Sequence, residues 1–556
     1  MLPPTIHARV APETISKVGR LFNGSLDDIL TELLQNSRRA GASRITVTAD
    51  LTADDPVFSI ADDGHGIADP SSILTLGRSD WSDDTRRRED PAGMGVFSLA
   101  GRAVTIRSFS STAASGWRAD IPADGWDSGQ PIDVCADPIA GGTEITLVMP
   151  KHWRLQIAQA VARVARYYPL PVSWNGIEVE QRAWLADAVH VEDWNGSRIG
   201  VLREMPSHYR RADPRLNFHG LTIGCELPIV IEVDRGRHWT VRVEILDTPD
   251  LQLVLPARKE VVQNDTLTAL RAAAHATIFR AIAASGSHRL SHTDWSVARD
   301  MGIELSEADA YLEGWFPAIA DGDCYDSGQP VTGLAMTVMP DLPAIVAQPL
   351  ARCLGRHNPI DAPLVHGEER FAGYRWYDTL ARVKDVAFRV TAGEQVATID
   401  IAGDANPAIE SGFVDAIDLV MTLSHAGASA TTTTATDVAF AGDAWGGREA
   451  EEVGLFIVRD CDADPSDMVD LFERAIFSVS SDSDCDSPAT QRDAFRTQAA
   501  ERITTLMVGP DEAIEQRLRT LMLQCRWLIP EGRAATIWLD KTEVSVSLSP
   551  LELVAA

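Results

Sequence analysis

Two polar residues one helical turn apart are the first part of this chain that could carry out chemistry. Glu32 and Asn36 lie in the segment 26–40, where leucine and isoleucine recur at the spacing of an amphipathic helix. Because positions four apart share one face of a helix, the two side chains are expected to project together. A carboxylate there can accept a proton from an attacking water, and the amide oxygen beside it suits Mg²⁺.

The helix that would position these residues has start and stop signals of its own. Ser25 precedes the first apolar residue and Asp28 follows three positions later, which is the pattern of a capping box. Gly41 follows the apolar run, where a left-handed cap is expected. The sequence therefore predicts one helix over residues 26–40.

An aspartate at the end of a predicted strand is the second candidate position. Residues 45–49 alternate like a half-buried strand, and residues 57–61 are typical of its partner. Asp62 follows this second strand, and Gly64 and Gly66 follow Asp62. A fixed acceptor at a strand end can select a ligand that bears an amino group. The glycines would let the backbone approach that ligand closely and turn sharply.

Two further segments follow in order along the chain. Gly93 and Gly95 precede a predicted helix, where backbone N–H groups and the helix dipole would favour an anion. Thr143 precedes a predicted central strand over residues 144–149. Each segment alone is weak evidence, and their value lies in their order along the chain.

Together these segments resemble the Bergerat ATP-binding fold of the GHKL superfamily, which includes gyrase B, Hsp90, histidine kinases and MutL. The resemblance implies that Glu32 activates water and that Asn36 holds Mg²⁺. It also implies that Asp62 accepts a hydrogen bond from the adenine amino group; spacing to the glycines favours Asp62 over Asp63. The nucleotide-binding residues that it implies are Asn36, Asp62, Gly64, Gly66, Gly93, Gly95 and Thr143.

Two features of the site stay open at this point. Arg39 stands where Hsp90 and MutL usually have an aspartate; it could reach a phosphate or lie at the surface. The charged stretch 77–90 matches the lid that closes over ATP in the family, and an ordinary surface loop is the alternative.

Residues 151–290 are predicted to form a mixed α/β unit, with a helix at 158–168, strands at 221–223 and 241–245, and a helix at 265–284. The unit resembles the S5-like transducer of Hsp90 and MutL, in which a loop carries a cation to the γ-phosphate of ATP. By MutL spacing that cation is Arg258, and one Hsp90 alignment would make it Lys259. Release of this contact after hydrolysis would make the protein a switch.

The predicted fold class is α/β (α+β), and 556 residues allow two to four domains. We expect a Bergerat two-layer α/β sandwich over residues 1–150 and the transducer over residues 151–290. Residues 300–556 would form a further α/β region of unknown role, for dimerisation or partner binding.

Residues 300–556 contain only local sequence patterns. Residues 426–436 are rich in Ala, Ser and Thr and are predicted as a flexible loop. Asp460, Asp462 and Asp464 resemble the start of a calcium loop but lack its glycine and final glutamate, so an acidic turn is expected. A helix is predicted at 512–527 and two strands within 535–548.

Charge and cysteine content narrow the class of protein. The net charge of −30 argues against non-specific nucleic-acid binding and favours protein partners. Seven scattered cysteines, with no CxxC pair, suggest neither disulfides nor a zinc site. No stretch is apolar for long enough to span a membrane, so a cytoplasmic location is expected.

The leading hypothesis is a Mg²⁺-dependent ATPase that acts as an Hsp90-like, chaperone-type switch on protein clients, with a nucleotide-dependent homodimer. The main alternative is a DNA-transaction ATPase of the MutL or MORC type. A second alternative is a nucleotide-dependent scaffold or regulator that does not hydrolyse ATP.

Overall fold

The structure is a computed structural model, and it confirms the mixed α/β class, with 29% helix and 32% strand. It divides into a first unit, Met1–Asp309, and a second unit, Ala310–Ala556. The described residues are 25–75, 81, 95–126, 130–204, 214–233, 238–248, 250–254, 259–321, 328–442, 450–459, 461, 463–480 and 486–550. None of the helices in these ranges has the length and apolar content needed to cross a lipid bilayer.

An eight-stranded sheet forms the first half of the first unit, in the order β5-β4-β3-β6-β2-β1-β7-β8. Its strands are β1 (Ile45–Asp50), β2 (Val57–Asp62), β3 (Val104–Ser110), β4 (Ser115–Ile121), β5 (Val134–Asp137), β6 (Thr143–Val148), β7 (Val172–Trp174) and β8 (Ile177–Glu178). The pairs from β5 to β1 are antiparallel, whereas β1 and β7 are parallel. The predicted strand pair β1–β2 and the central strand β6 are confirmed.

Two helices share an apolar core with this sheet. Helix α1 (Leu26–Arg39) and helix α2 (Ile157–Ala165) bury their apolar stripes against the inward residues of the strands. Burial alternates strictly along β3, as expected for a sheet with one covered face. Because β7 and β8 join the sheet, it extends past residue 150, where the sequence analysis divided the chain.

The segment after Gly93 differs from its prediction. It forms a 3₁₀ helix of five residues, Gly95–Leu99, rather than an α-helix. Other 3₁₀ helices are Pro70–Leu74, Lys151–Leu155, Glu369–Phe371 and Arg526–Leu528. The dipole of a helix grows with the number of aligned peptide groups. The short 3₁₀ helix Gly95–Leu99 therefore attracts an anion less strongly than a full α-helix would.

A second sheet completes the first unit, in the order β12-β11-β14-β10-β9, with β13 paired to β14. The elements are β9 (His190–Trp194), β10 (Ser197–Glu204), β11 (Leu216–Phe218), β12 (Leu221–Ile223), β13 (Val230–Ile231), β14 (His238–Ile245), α3 (Asp265–Ala284) and α4 (His292–Asp300). Helix α3 packs on this sheet around Leu270, Ala274 and Ile278. The predicted helix at 265–284 and the strands at 221–223 and 241–245 are confirmed.

The second unit is built around a seven-stranded sheet, in which β18-β17-β19-β20-β21 is extended by β23 on β19 and β24 on β23. Its elements are β15 (Tyr311–Glu313), β16 (Pro330–Thr332), β17 (Thr337–Met339), α5 (Ala344–Arg356), β18 (Leu364–His366), α6 (Arg375–Asp378), β19 (Ala381–Ala392), β20 (Gln395–Ile399), β21 (Ala405–Asn406), β22 (Gly412–Val414), β23 (Ala416–His425), β24 (Ala428–Thr436), β25 (Val438–Ala441), β26 (Gly454–Val458), α7 (Pro465–Ile476), α8 (Pro488–Val508), α9 (Pro510–Cys525), β27 (Arg533–Leu539) and β28 (Val544–Pro550).

One prediction in this unit is wrong. The Ala-, Ser- and Thr-rich segment 426–436 is not a loop but a turn followed by strand β24, paired along its whole length with β23. Threonine is β-branched and favours extended backbone, and composition alone hides this preference. The helix predicted at 512–527 and the two strands predicted within 535–548 are confirmed. Asp464 caps helix α7, whereas Asp460 and Asp462 lie outside the described residues.

Candidate functional site

Helix α1 is fixed at both ends by local interactions. The backbone N–H of Ser25 donates to Asp28 Oδ2 at 3.0 Å, and the backbone N–H of Asp28 donates to Ser25 Oγ at 3.3 Å. Gly41, just beyond the helix, has φ of +69°. The predicted capping box and left-handed stop are therefore both confirmed.

Glu32 and Asn36 lie half-buried on the edge of α1 that borders its apolar stripe. Their spacing of four residues puts them on one face, as predicted. Asn36 Oδ1 accepts a hydrogen bond of 3.2 Å from Arg39 Nη1. The arginine whose role the sequence left open therefore contacts the amide that is predicted to hold Mg²⁺.

Asp62 ends strand β2 beside the same helix. Its Oδ2 accepts a hydrogen bond of 2.9 Å from Ser37 Oγ, and its Oδ1 accepts one of 2.9 Å from the backbone N–H of Gly64. Ser37 is buried and directly follows Asn36 in α1. The sequence analysis missed Ser37, although a serine on the mainly apolar, buried side of α1 was a signal that it has a partner.

Burial raises the pKa of Asp62 above its ordinary value. The hydrogen bonds from Gly64 and Ser37 oppose this shift because they favour the charged form, while the adjacent carboxylate of Asp63 adds to it. The ionised side chain of Asp62 therefore costs free energy in the absence of a further donor. An amino group that reached it would offset that cost.

Three neighbouring strands carry a row of polar residues that includes Asp62. Asp62 lies opposite Thr143 in the β2–β6 pair, and Thr143 lies opposite Ser108 in the β6–β3 pair. The hydroxyls of Thr143 and Ser108 are 2.8 Å apart. Ser108 is fully buried and accepts from the backbone N–H of Ile67 at 2.9 Å. The row ties the loop after Asp62 to the middle of the sheet.

The glycines after Asp62 are needed by the protein's own backbone. A Cβ on Gly64 would stand 2.6 Å from the carbonyl oxygen of Ala40, at the end of α1. Gly66 has φ of +77°, and a Cβ there would stand 2.1 Å from the carbonyl oxygen of Phe109. Both positions thus require glycine for packing alone, and contact between this loop and a base stays a prediction.

Three of the predicted parts fall wholly or mainly outside the described residues. These are Gly93, Arg258 and the lid segment 77–90, of which Trp81 is described. The ring of Trp81 packs edge-on against His65, with 6.0 Å between centroids. Gly95 begins the short 3₁₀ helix that lies beside α1.

Among the described residues, two polar contacts join α1 to the second half of the first unit. Lys259 Nζ lies 3.6 Å from Asp28 Oδ2, one turn before Glu32 on the same face of the helix. On the other side, Gln35 Nε2 donates to the carbonyl oxygen of His219 at 2.7 Å. The loop predicted to carry a cation therefore reaches the helix that carries Glu32 and Asn36.

The side chains around Glu32 and Asn36 supply only some of the ligands that a metal ion needs. Within the described ranges, no group of three or more His, Cys, Asp and Glu side chains is arranged to hold a metal ion. A magnesium ion here would take Asn36 Oδ1 from the protein, with its other ligands from phosphate and water. A comparison with models of known protein families and with curated proteins finds no match to this chain.

Proposed function

We propose that this chain binds Mg²⁺ and ATP in a Bergerat fold of the GHKL type and hydrolyses ATP as a conformational switch. One observation carries the proposal. Within six residues, α1 holds the carboxylate of Glu32, the amide of Asn36 and the hydroxyl of Ser37, and Ser37 is bonded to Asp62 at 2.9 Å. A single rigid helix would thus relate the phosphate end of a nucleotide to its base end.

The environment of Asp62 supports adenine as the base. The carboxylate of Asp62 accepts hydrogen bonds from Ser37, from Gly64 and from the backbone of Thr143, and a carboxylate has room for about four donors, so one lone pair is left. The exocyclic amino group of adenine can donate to this lone pair. Guanine presents a carbonyl oxygen at the corresponding position, which an ionised carboxylate would repel. A site that holds a half-buried acceptor therefore discriminates between the two purines.

At the phosphate end of the proposed site, ATP binding would have to break one polar contact within the protein. Arg39 occupies one lone pair of Asn36 Oδ1 in the structure. A phosphate is a stronger partner for a guanidinium than a neutral amide is. A bound triphosphate would draw Arg39 away and leave Asn36 Oδ1 to a magnesium ion, which would neutralise phosphate charge. Glu32 would accept the proton of the attacking water.

The contacts between α1 and the second half of the first unit support a switch. The side chain of Lys259 is 69% exposed and that of Asp28 is 41% exposed, so water screens their ion pair, which is weak and can be exchanged at little cost. The γ-phosphate of ATP would compete for Lys259, or for its neighbour Arg258, and ADP would not. Nucleotide state would then bias the position of this loop against α1.

An Hsp90-like, chaperone-type role on protein clients, with a nucleotide-dependent homodimer, is the form of switch that we favour. It rests on the net charge of −30, which suits protein partners better than a phosphate backbone. Stimulation of ATP turnover by duplex DNA would instead favour a MutL- or MORC-type role.

The decisive experiment separates binding from hydrolysis. In Glu32→Ala we expect phosphate release to fall by at least about 100-fold, because general-base catalysis contributes about that much. Calorimetry on the same variant is expected to give an ATP affinity near that of the wild type. Glu178→Ala, at an exposed glutamate of β8, is the matched control and should keep full turnover.

Two results would overturn parts of the proposal in distinct ways. Normal hydrolysis by Glu32→Ala would remove the proposed role of this carboxylate. A wild type that binds ATP without releasing phosphate would leave a nucleotide-dependent scaffold or regulator as the function.

A further inference from the structure

A cavity in the first unit lies between the end of helix α2 and the second sheet. Its volume is about 270 Å³, which suits one ring with a short side chain rather than a large cofactor. Two of its lining residues, Arg182 and Ala183, are exposed, so a ligand can enter from solvent. The lining also includes Tyr167, Tyr168, Trp184, Asn217, His219 and Glu244.

Two aromatic rings form part of the wall of the cavity. Tyr167 and Trp184 meet edge to face, with 4.8 Å between their ring centroids. Cζ of Arg166 lies 5.2 Å from the ring centroid of Tyr167, and Cζ of Arg242 lies 5.3 Å from that of Trp184. These contacts hold both rings in place. An aromatic ligand would add a ring contact, which stabilises a complex beyond the apolar surface that it buries.

The polar groups of the lining favour an anion. Glu244 is paired with Arg198 at 3.4 Å, whereas the guanidinium of Arg182 has no ion pair or hydrogen bond within the part of the chain that the structure describes. Asn217 is 2% exposed, and its Nδ2 makes one long contact of 3.4 Å with the carbonyl oxygen of Tyr167, so its second N–H is left over. A cation and a buried donor together suit a carboxylate.

The same lining limits the charge that the ligand can carry. A dianion such as phosphate would be repelled by Glu244 and would need more cations than Arg182 supplies. An aromatic cation would leave Arg182 without a partner and would be repelled by it. A single ring that carries one carboxylate satisfies Arg182 and the aromatic wall at once.

Two residues of the lining also hold helix α1. The hydroxyl of Tyr168 donates to the carbonyl oxygen of Leu34 at 2.5 Å, and the carbonyl oxygen of His219 accepts from Gln35 Nε2 at 2.7 Å. Both contacts lie within two residues of Asn36. Oε1 of Gln35 is buried and has no hydrogen-bond partner among the described residues, so a small shift that gave it one would be favoured.

We propose that this cavity binds a small aromatic carboxylate and that the bound ligand regulates the protein through helix α1. The ligand would contact Tyr168 and His219 and so bias the hydrogen bonds that hold the helix beside Asn36. Regulation of ATP binding rests on the proposed function, whereas binding of the carboxylate does not.

The first test is calorimetry with phenylacetate on the full, nucleotide-free chain. Phenylacetate combines one ring with one carboxylate, benzylamine has the same ring with a cation, and acetate has the carboxylate without the ring. We expect phenylacetate to bind at least about 10-fold more tightly than either of the others, because it alone can use both Arg182 and the aromatic wall.

Substitutions in the lining test the assigned contacts. Arg182→Ala is expected to weaken phenylacetate binding by at least about 10-fold, and Ala183→Leu should weaken it by filling the cavity. Glu244→Gln should strengthen it, because a repelling charge is removed. Arg519→Ala, at an exposed arginine of α9, is the matched control and should bind as the wild type does.

The folding of these variants can be checked separately, because Arg182 and Ala183 are exposed and circular dichroism should not change. Phenylacetate that binds no better than benzylamine or acetate would refute the site. Equal binding by the wild type and Arg182→Ala would refute it as well.

Regulation is tested by repeating the titrations with ATP. Saturating phenylacetate should change ATP affinity by at least about 5-fold, and ATP should change phenylacetate affinity by the same factor, because coupling is reciprocal. Gln35→Met loses the hydrogen bond to His219, so it should reduce this coupling while phenylacetate still binds.

The outcomes distinguish the two parts of the proposal. An ATP affinity that phenylacetate leaves unchanged would refute the regulation, and full coupling in Gln35→Met would refute this route for it. A chain that binds phenylacetate but not ATP would contradict the proposed ATPase and its regulation, and it would support the carboxylate site.

Discussion

Ser37 Oγ donates a hydrogen bond of 2.9 Å to Asp62 Oδ2 and so joins the middle of the candidate site to its far end. The same hydroxyl lies 3.2 Å from the carbonyl oxygen of Leu33, one turn earlier in α1. A hydroxyl has one hydrogen, and a charged acceptor attracts it more strongly than a neutral carbonyl does. Protonation or substitution of Asp62 would release this hydrogen to Leu33 and leave the helix intact.

Asp62→Asn is therefore expected to fold normally but to bind ATP weakly. The asparagine oxygen can accept from Gly64, and its amide can donate to Ser37 Oγ while the hydroxyl turns to Leu33. The adenine amino group would lose a charged acceptor, which is worth about 1.5–3 kcal/mol. Calorimetry should then show binding weaker by about 10- to 100-fold.

Asp63→Asn is the control for this substitution, because Asp63 is exposed and its carboxylate bonds to Ser43 rather than facing the site. We expect it to leave ATP affinity unchanged. Equal affinities in wild type and Asp62→Asn would remove Asp62 from the base-binding role.

The raised pKa of Asp62 predicts opposite effects of pH on stability and on binding. The unfolded side chain titrates near 3.8, and the folded one titrates higher because it is buried. Between those two values the folded state holds more protons, so the free energy of unfolding falls as pH rises through the folded pKa. ATP binding needs the ionised form, so affinity should rise over the same interval.

Urea unfolding at a series of pH values, without nucleotide, measures the first effect. Subtracting the Asp62→Asn curve from that of the wild type cancels the contributions of the other carboxylates. The difference should decrease as pH rises above 3.8 and then level off. A difference that is flat or that increases with pH would contradict the assigned shift.

Local signals predicted most of what surrounds these residues. The capping box at Ser25, the glycine stop at Gly41 and the alternation in β1 and β2 all act within a few residues, so the sequence reveals them. The Ser37–Asp62 bond and the Thr143–Ser108 contact join residues 25 and 35 positions apart. Such contacts depend on how strands are ordered in the sheet, which short-range patterns do not encode.

The two misread segments have physical explanations of the same kind. Segment 426–436 has a loop-like composition, but pairing with β23 selects the extended form that threonine favours. The segment after Gly93 has glycines suited to a helix start, yet it makes a single 3₁₀ turn, Gly95–Leu99. In both cases tertiary packing outweighed a weak local preference.

Adjacent glycines before β6 provide a test of how tightly Asp62 is held. Gly142 has φ of +68°, and a Cβ there would stand 1.9 Å from the backbone carbonyl oxygen of Asp62. A Cβ on Gly141 would meet nothing within 4 Å. Gly142→Ala should lower the free energy of unfolding by at least about 2 kcal/mol, since it combines strain with a backbone clash.

Gly141→Ala is expected to change stability by no more than about 0.5 kcal/mol, as at an ordinary surface position. Thermal and urea unfolding of the two variants measure both effects. Equal stability of the two variants would contradict the close contact between the turn at Gly142 and the backbone of Asp62.

The ion pair of Lys259 and Asp28 allows effects on stability to be separated from effects on catalysis. Lys259→Ala removes a weak surface ion pair, so it should change the free energy of unfolding by at most about 1 kcal/mol. If Lys259 leaves Asp28 for the γ-phosphate, the same substitution should lower ATP turnover by at least about 10-fold.

Asp28→Asn keeps an acceptor for the helix cap but frees Lys259, so turnover should be maintained or raised. Arg258→Ala, assayed in parallel, identifies which of the two cations acts. Turnover that falls equally in Lys259→Ala and Asp28→Asn would mean that the pair only supports α1, because both substitutions break it but only one removes the cation.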